Sequence, residues 1–304
     1  MDSKLVTKKE VTEDHEGMRL DNYLISSLKG VPRSKIYSII RKGEVRVNSK
    51  RYKPKQRVSI GDIIRIPPIR LRSSIDAMPS SELLDFIKSN IIFEDKSLLV
   101  IDKPSGIASH GGSGISLGLI EVARKLDTKY ENLQLVHRLD KDTSGCIVLT
   151  KKKSILREMH KELRNNTVRK NYILVTPGNW KQEKVEVNLN LEKIKKLSGE
   201  QRVEVVESGK KSLSIFTVIK DNQKFALVNC VLKTGRTHQI RVHTNFLQHP
   251  IAGDRKYGDK EFNKLFFGLG YKRMMLHAKS IKFEGLDFSV ESPTPFEFNK
   301  IFKS

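Results

Sequence analysis

Cysteine is nearly missing from this 304-residue chain: there are two, Cys146 and Cys230, 84 positions apart. With no Cys-x-x-Cys and both thiols inside strand-like apolar runs, a disulfide-built secreted scaffold is excluded and buried free thiols are expected. Long apolar runs are missing as well. No stretch approaches the ~18 residues needed to span a bilayer, and the opening Met1-Asp2-Ser3-Lys4 leads into no apolar signal core, so a cytoplasmic protein with no membrane partner is expected. Neither a Rossmann glycine fingerprint nor the Walker Lys-Ser/Thr ending occurs. His238 and His243 are five apart and fall off a common helical face, unlike the four-residue spacing of zinc-binding helices. No cofactor and no metal are expected. Acidic residues are the last shortage: 35 Asp and Glu face 57 Lys and Arg, a formal charge of +22. Such an excess fits a polyanion such as nucleic acid, although compositional drift toward Lys would also produce part of it as solvated surface.

The excess is uneven. Residues 1–72 hold 18 Lys and Arg against 8 Asp and Glu, a difference of +10, so nearly half of it lies in the first quarter of the chain. A chain of this length permits about two domains, and the asymmetry places the first at 18–67. Leu20, Tyr23, Leu24 and Leu28 recur at helical spacing until Gly30 and Pro32. Ser34 is the expected cap of a second helix with Ile36, Ile39 and Ile40 on its apolar face and Gly43 as its stop. Glu44–Asn48 then alternates with period two, as does Val58–Ile66 around the Gly61-Asp62 turn. Arg33, Lys35, Arg41, Lys42, Arg46, Arg51 and Lys53 crowd this small region. A basic face is more often merely solvated, but this density points to RNA.

Residues 68–82, with prolines and serines among few apolar residues, read as a linker. Beyond them, 83–304 mixes strands near Ile91–Asp102, Tyr172–Val175, Ser214–Val218 and Phe225–Leu232 with helix-like stretches after Ser116 and Ser154. That pattern predicts an α+β domain with a mixed, largely antiparallel sheet, long enough to bury its own core.

Chemistry concentrates in two strings. In Val136-His137-Arg138-Leu139-Asp140-Lys141-Asp142-Thr143-Ser144-Gly145, apolar flanks suggest two strands joined through a polar stretch that carries Asp140 among basic side chains. Taken alone, Asp140 and Asp142 could be ordinary turn residues. Arg138, two residues before Asp140 on the expected strand, should project to the same face. The second string, Thr234-Gly235-Arg236-Thr237-His238-Gln239-Ile240-Arg241-Val242-His243, runs from a strand into a helix capped near Thr237. Arg241 then falls in the first turn, where the helix dipole disfavours a cation by ~0.3–1 kcal/mol unless an anion compensates. A carboxylate or a phosphate in a site would satisfy it, and so would an ordinary surface acid. Tyr172, beside Arg169 and Lys170, is an aromatic among cations, although a strand tyrosine is usually core.

Taken together, His137-Arg138-Leu139-Asp140 followed by Thr143-Ser144-Gly145 closely resembles the signature of the RluA-type pseudouridine synthases. The resemblance implies that Asp140 is catalytic, that Arg241 pairs with it next to the packing residue Ile240, that Tyr172 stacks on the base, and that Arg138 fills the gap left by a flipped nucleotide. Lys103-Pro104-Ser105-Gly106 and His110-Gly111-Gly112 match too; without the resemblance they read as a weak phosphate cradle. The order Arg19-Leu20-Asp21, Gly43–Asn48, Lys53-Pro54 and Gly61-Asp62 resembles the alpha-L RNA-binding module of ribosomal protein S4, with Ser49 where a Gly usually follows the Asn. Leu28–Pro32, Ile66-Pro67-Pro68, His110–Gly114, His249–Asp254 and Tyr257-Gly258-Asp259 are most similar to a subgroup that modifies several uridines of 23S ribosomal RNA.

The implied reaction breaks the bond from sugar to base nitrogen, rotates the base and rejoins it through carbon 5. One carboxylate can carry such a glycosyl rearrangement, by attack or by stabilising a developing positive sugar, and an adjacent Arg favours its ionised form. A uridine inside folded RNA must first be flipped out, at a cost of a few kcal/mol. The implied partner is large-subunit ribosomal RNA or its precursor particles, met by a monomer. A synthase acting on transfer RNA would keep the same residues. A non-catalytic RNA-binding assembly factor would be favoured by a missing acid, and Asp140 is present.

Overall fold

The apolar repeat after Met18 forms helix α1 (Leu20–Ser27), shorter than expected, and Ile36, Ile39 and Ile40 face inward from α2 (Arg33–Arg41). The computed structural model describes residues 6–28, 31–69, 78–112, 117–195 and 200–303. The expected stop at Gly30, residues 70–77 of the expected linker, and Ser113, Gly114 and Ser116 lie outside these. Contacts divide the chain into two compact units, Met1–Ala77 and Met78–Ser304.

In the first unit α2 starts one residue before Ser34, because the Pro32 carbonyl accepts from Ile36 N–H at 3.1 Å. A proline just ahead of a helix loses nothing by lacking a donor. Gly43, at φ +70°, follows the end of α2 as expected. A three-stranded antiparallel sheet packs with the helices: β1 (Thr7–Glu10), β2 (Arg46–Val47) and β3 (Ile63–Ile66), in the order β1-β3-β2. Both expected strands are thus shorter than their alternating patterns. Asn48 (φ 47°) and Ser49 (φ 68°) form the tight turn between Val47 and Lys50, two left-handed residues in succession. A two-residue hairpin turn demands that geometry, which explains why glycine suits position 49 and why serine is strained there. Asp21, fully buried, accepts from Tyr37 Oη at 2.7 Å and Arg19 Nε at 3.1 Å, tying α1 to α2.

The second unit is built on one large sheet. Its strands are β4 (Ile91–Glu94), β5 (Leu98–Lys103), β6 (Gln134–Leu135), β7 (Ser144–Thr150), β8 (Arg169–Pro177), β9 (Lys184–Lys195), β10 (Gln201–Val205), β11 (Lys210–Asp221), β12 (Phe225–Leu232), β13 (Leu276–Phe283) and β14 (Phe288–Glu291). The order is β10-β9-β11-β12-β8-β13-β7-β5-β4, with β14 on β13 and β6 on β7. Among the described residues only β7 and β13 pair in parallel, so the fold is α+β with a mixed, largely antiparallel sheet, as expected. Helices α3 (Ser81–Ser89), α4 (Leu119–Ala123), α5 (Lys153–Asn165), α6 (Gln239–Phe246), α7 (Lys260–Gly268) and α8 (Glu297–Lys300) complete it. Strands β9, β10, β13 and β14 were not anticipated.

One expectation fails where it bears on the site. The strand before Asp140 is only the two residues of β6, and neither Arg138 nor Asp140 lies in a strand. Pairing stops because the His137 side chain, not a backbone carbonyl, accepts Val148 N–H, through Nε2 at 3.2 Å. Burial pushes the His137 imidazole down to about 4, which leaves it neutral and able to accept. Beyond the loop, Gly145, Ala278, Tyr172 and Cys230 are register neighbours across β7, β13, β8 and β12. Gly145, at φ +110°, lies so close to the Ala278 carbonyl that a side chain would overlap it. This glycine therefore sets how near β7, and the Asp140 loop before it, comes to Tyr172.

Candidate active site

The loop carrying Asp140 is pinned by its neighbours. Ser109 Oγ accepts from Leu139 N–H at 3.0 Å and donates to the Leu139 carbonyl at 2.7 Å. Ser105 Oγ donates to the Asp142 carbonyl at 2.7 Å. Lys103, fully buried, donates to the carbonyls of Pro104, Ile107 and Lys141 at 2.8, 2.7 and 3.0 Å. Burial pushes Lys103 down to about 7. The Lys103–Gly106 segment, legible alone as a phosphate cradle, is thus spent on bracing the Asp140 loop. Rigid bracing of this kind is what a reacting carboxylate requires.

Arg241 stands in the first turn of α6, and the anion that the helix dipole requires is present twice over. Its Nη1 donates to Asp140 Oδ2 at 2.9 Å, while Nε and Nη2 donate to Asp254 Oδ2 and Oδ1 at 2.7 and 2.9 Å. The Arg241 side chain is 8% exposed and that of Asp254 1%, against 28% for Asp140. Asp254 is the buried anchor and Asp140 the partner open to the cleft. Burial works against the charge on Arg241, but Asp254 and then Asp140 outweigh it and raise its pKa. Burial likewise opposes ionisation of Asp254, and Arg241 with the Tyr257 and Lys256 N–H groups more than compensates, so its pKa is lowered.

His238 also closes on the carboxylate, with Nε2 3.7 Å from Asp140 Oδ2. It precedes α6 in the left-handed region at φ 54°, a conformation that a non-glycine residue holds only when its surroundings impose it. Its Nδ1 meets Tyr257 Oη at 2.8 Å, and that oxygen accepts Val203 N–H at 2.9 Å. The Tyr257 ring lies under the Arg241 guanidinium, 5.0 Å from its centroid. Burial lowers the His238 pKa despite the pull of Asp140. His243, five residues on, is buried and meets Ser212 Oγ at 2.8 Å, away from the carboxylate.

A cleft of about 930 Å³ brings together Asp140, Arg138, Tyr172, Ile240 and Arg241, four of them within the two strings read from sequence. Tyr172 on β8 is half-buried, packs against apolar neighbours of two core clusters, and has its phenol pKa pushed up by burial. Ile240 is 4% exposed and belongs to the core under α6. Arg138 is exposed, its Nη1 3.0 Å from His110 Nε2. Lys170, Lys193, Arg164 and Arg236 add positive charge around the cleft. Both cysteines are free and buried, and burial pushes the Cys146 thiol up to about 12.

The seven basic residues singled out in the sequence belong to the first unit. Arg33, Lys35 and Arg41 are exposed on α2, Lys42 follows it, Arg46 is half-buried on β2, and Arg51 and Lys53 are exposed beyond the hairpin. Of the seven, only Lys42 has a carboxylate within reach among the described residues, Glu44 at 4.0 Å.

The sequence model of the RNA pseudouridylate synthases matches residues 97–246, and that of the S4 domain matches 18–64. Ribosomal large subunit pseudouridine synthase C of Haemophilus influenzae is 48% identical over 276 residues, covering 90% of this chain and 86% of the relative. The chain belongs to the RNA pseudouridylate synthase family. The protein of the same description from Escherichia coli K12 is 46% identical over 277 residues, covering 90% of this chain and 87% of its own. Among solved structures, human RNA pseudouridylate synthase domain containing 4 superposes with a TM-score of 0.60 at 25% identity, over 72% of this chain and 93% of that one. The chain is therefore an RNA pseudouridine synthase, an isomerase. No helix among its described residues is long and apolar enough to cross a membrane.

Three residues of the synthase's site, Asp254, His238 and Tyr257, had no role that the sequence could assign. Asp254 and Tyr257 stood only within strings of resemblance, and the spacing of His238 bore only on metal ligation. The one available signal was the unfavourable place of Arg241, which demanded an anion, carboxylate or phosphate, without naming it.

Proposed function

We propose that the synthase isomerises specific uridines of 23S ribosomal RNA, in free RNA or in precursor particles of the large subunit, acting as a cytoplasmic monomer. The carrying observation is identity of 46–48% over 90% of the chain to proteins described as ribosomal large subunit pseudouridine synthase C. In this reading 18–67 is the RNA-binding domain, 68–82 the linker and 83–304 the catalytic domain. Asp140 is the catalytic carboxylate, supported by its braced loop and its pairing with Arg241 at 2.9 Å. The bond from C1′ to N1 breaks, the uracil turns within the cleft, and C1′ rejoins at C5; the C5 proton leaves and N1 gains one, so nothing is consumed. Tyr172 offers a ring face to the flipped base, Arg138 enters the gap in the RNA, and Ile240 packs beneath Arg241.

The test is incubation of the purified synthase with unmodified 23S transcript, followed by carbodiimide labelling and primer extension. Stops at a few uridines are expected. A 23S transcript left unmodified while transfer RNA gains pseudouridine would overturn the substrate.

Arg33, Lys35, Arg41, Lys42, Arg46, Arg51 and Lys53 are assigned to RNA phosphates. Deleting residues 1–72 is expected to weaken binding and to flatten the plot of log affinity against log salt by about 0.7–0.9 for each phosphate no longer neutralised. Filter binding across a salt series measures this, and an unchanged slope would remove the module from RNA recognition.

A further inference from the structure

A second cleft, of about 1000 Å³, shares Lys141 with the first. It is walled by Lys103–Gly106, by Lys141 and Asp142 next to Asp140, by Gly253 and Arg255 on either side of Asp254, by Lys272–Met274 and by residues 293–296. Both ends of the Asp140–Arg241–Asp254 chain therefore back onto it.

Besides the buried Lys103, four cations line this cleft: Lys141, Arg255 and Lys272 are exposed, and Arg273 is half-buried. Asp102 and Asp142 line it too. Among the described residues, none of the four cations has a carboxylate oxygen within 4.0 Å. Arg273 is held by neutral acceptors only. Its Nη2 donates to Ser144 Oγ, its Nε donates to the Met274 carbonyl at 3.3 Å, and its guanidinium lies 5.6 Å from the Phe298 ring centroid. Burial lowers its pKa by more than the more distant Glu297 and Asp102 restore, so this cation is desolvated without full compensation. An anion in the cleft would supply it.

Two large aromatics stand at the same place. Phe86 of α3 is 49% exposed and Phe296, just before α8, is 68% exposed, and both line the cleft. Exposed rings beside unpaired cations are what single-stranded nucleic acid binds, bases on ring faces and phosphates on charges. An unpartnered apolar face meant for another protein would not need four cations without ion-pair partners.

We propose that the second cleft binds an unpaired segment of the same RNA that enters the first, its phosphates on Lys141, Arg255, Lys272 and Arg273 and its bases on Phe86 and Phe296. The inference rests on the chain acting on RNA, not on which RNA it modifies. Lys141, common to both clefts, would take a phosphate between the target nucleotide and this segment.

The test uses the full-length protein and two probes, a single-stranded oligoribonucleotide of about 12 nucleotides and a duplex of the same length, within the range that one such groove spans. Arg255→Gln with Lys272→Gln removes two exposed charges, and the slope of log affinity against log salt for the single strand should fall by about 1.4, at about 0.7 per phosphate. Phe296→Ala should weaken single-strand binding severalfold at an unchanged slope, and should abolish a photo-crosslink from 4-thiouridine in the strand to the peptide around residue 296. Unchanged affinity and slope in both variants, or equal losses for strand and duplex, would overturn the proposal. So would a change of oligomeric state in Phe296→Ala with RNA binding intact, which would make the rings a protein contact. Because the probes are bound and need not be modified, failure of the 23S assignment would leave these results unaffected.

Discussion

Asp140→Asn is expected to bind RNA as the unaltered synthase does and to make no detectable pseudouridine, a fall in kcat of roughly 10⁴-fold or more, as for loss of a reacting group. The substitution is nearly isosteric. An amide oxygen can still accept from Arg241 Nη1, now at 2.9 Å from Asp140 Oδ2, and the buried Asp254 continues to balance the guanidinium. The Ser109, Ser105 and Lys103 contacts that brace the loop go to backbone carbonyls and to Leu139 N–H, none of which the change touches. What disappears is the negative charge that can attack the sugar or stabilise it as the base departs. Release of tritium from RNA labelled at uracil C5, measured in a single turnover, reads the chemistry separately from binding. Turnover within tenfold of the unaltered protein would remove Asp140 from the catalytic role. Weakened RNA binding with the rate retained would recast it as a binding residue.

The sequence made part of this site legible through a local conflict. A cation in the first turn of α6 is unfavourable, so the position of Arg241 alone announced an anionic partner, carboxylate or phosphate. It could not announce two, because Asp254 lies thirteen residues downstream past the end of the helix, and only the return of the chain beneath α6 brings its carboxylate to the guanidinium. His238 was hidden for a related reason: its approach to Asp140 depends on a left-handed backbone at φ 54°, which no side-chain pattern encodes. Arg138 reached the expected cleft by an unexpected route. Strand periodicity placed it on the face of Asp140, whereas a histidine side chain ends the strand and both residues sit in a braced loop. Strand β13 was unreadable because its buried run, Leu276–Phe283, carries His277, Lys279 and Lys282, charges that periodicity assigns to the surface. The α+β class survived these losses because it rested on several apolar strands at once, each legible by itself.

Asp254→Ala is expected to damage stability and rate together. Removing one partner of a buried ion pair leaves the other charge uncompensated, at about 3–5 kcal/mol, a large share of the ~5–15 kcal/mol that holds a typical protein folded. Arg241, 8% exposed, would keep only Asp140, a carboxylate 28% open to solvent. Asp254 also accepts the Lys256 and Tyr257 N–H groups at 2.8 and 3.0 Å, so its loss loosens the tyrosine that supports both Arg241 and His238. A displacement of Asp140 by about 1 Å would lower kcat by roughly 10²-fold, with KM much less affected because the RNA-facing residues stay in place. Asp254→Asn, whose amide oxygen can keep the contacts of Oδ1 but whose NH2 faces Arg241 Nε without accepting from it, should fall between the two proteins. The pH dependence identifies the charge as the cause. The folded pKa of Asp254 lies below its ordinary 3.8, so its stabilisation is complete above the unfolded value and is lost as the pH falls through the folded one. Urea unfolding should therefore separate Asp254→Asn from the unaltered protein at neutral pH, and the gap should close only in acid. A gap that persisted unchanged below the folded pKa would assign the effect to packing and hydrogen bonding alone, and the ionic chain from Asp254 through Arg241 to Asp140 would lose its first link.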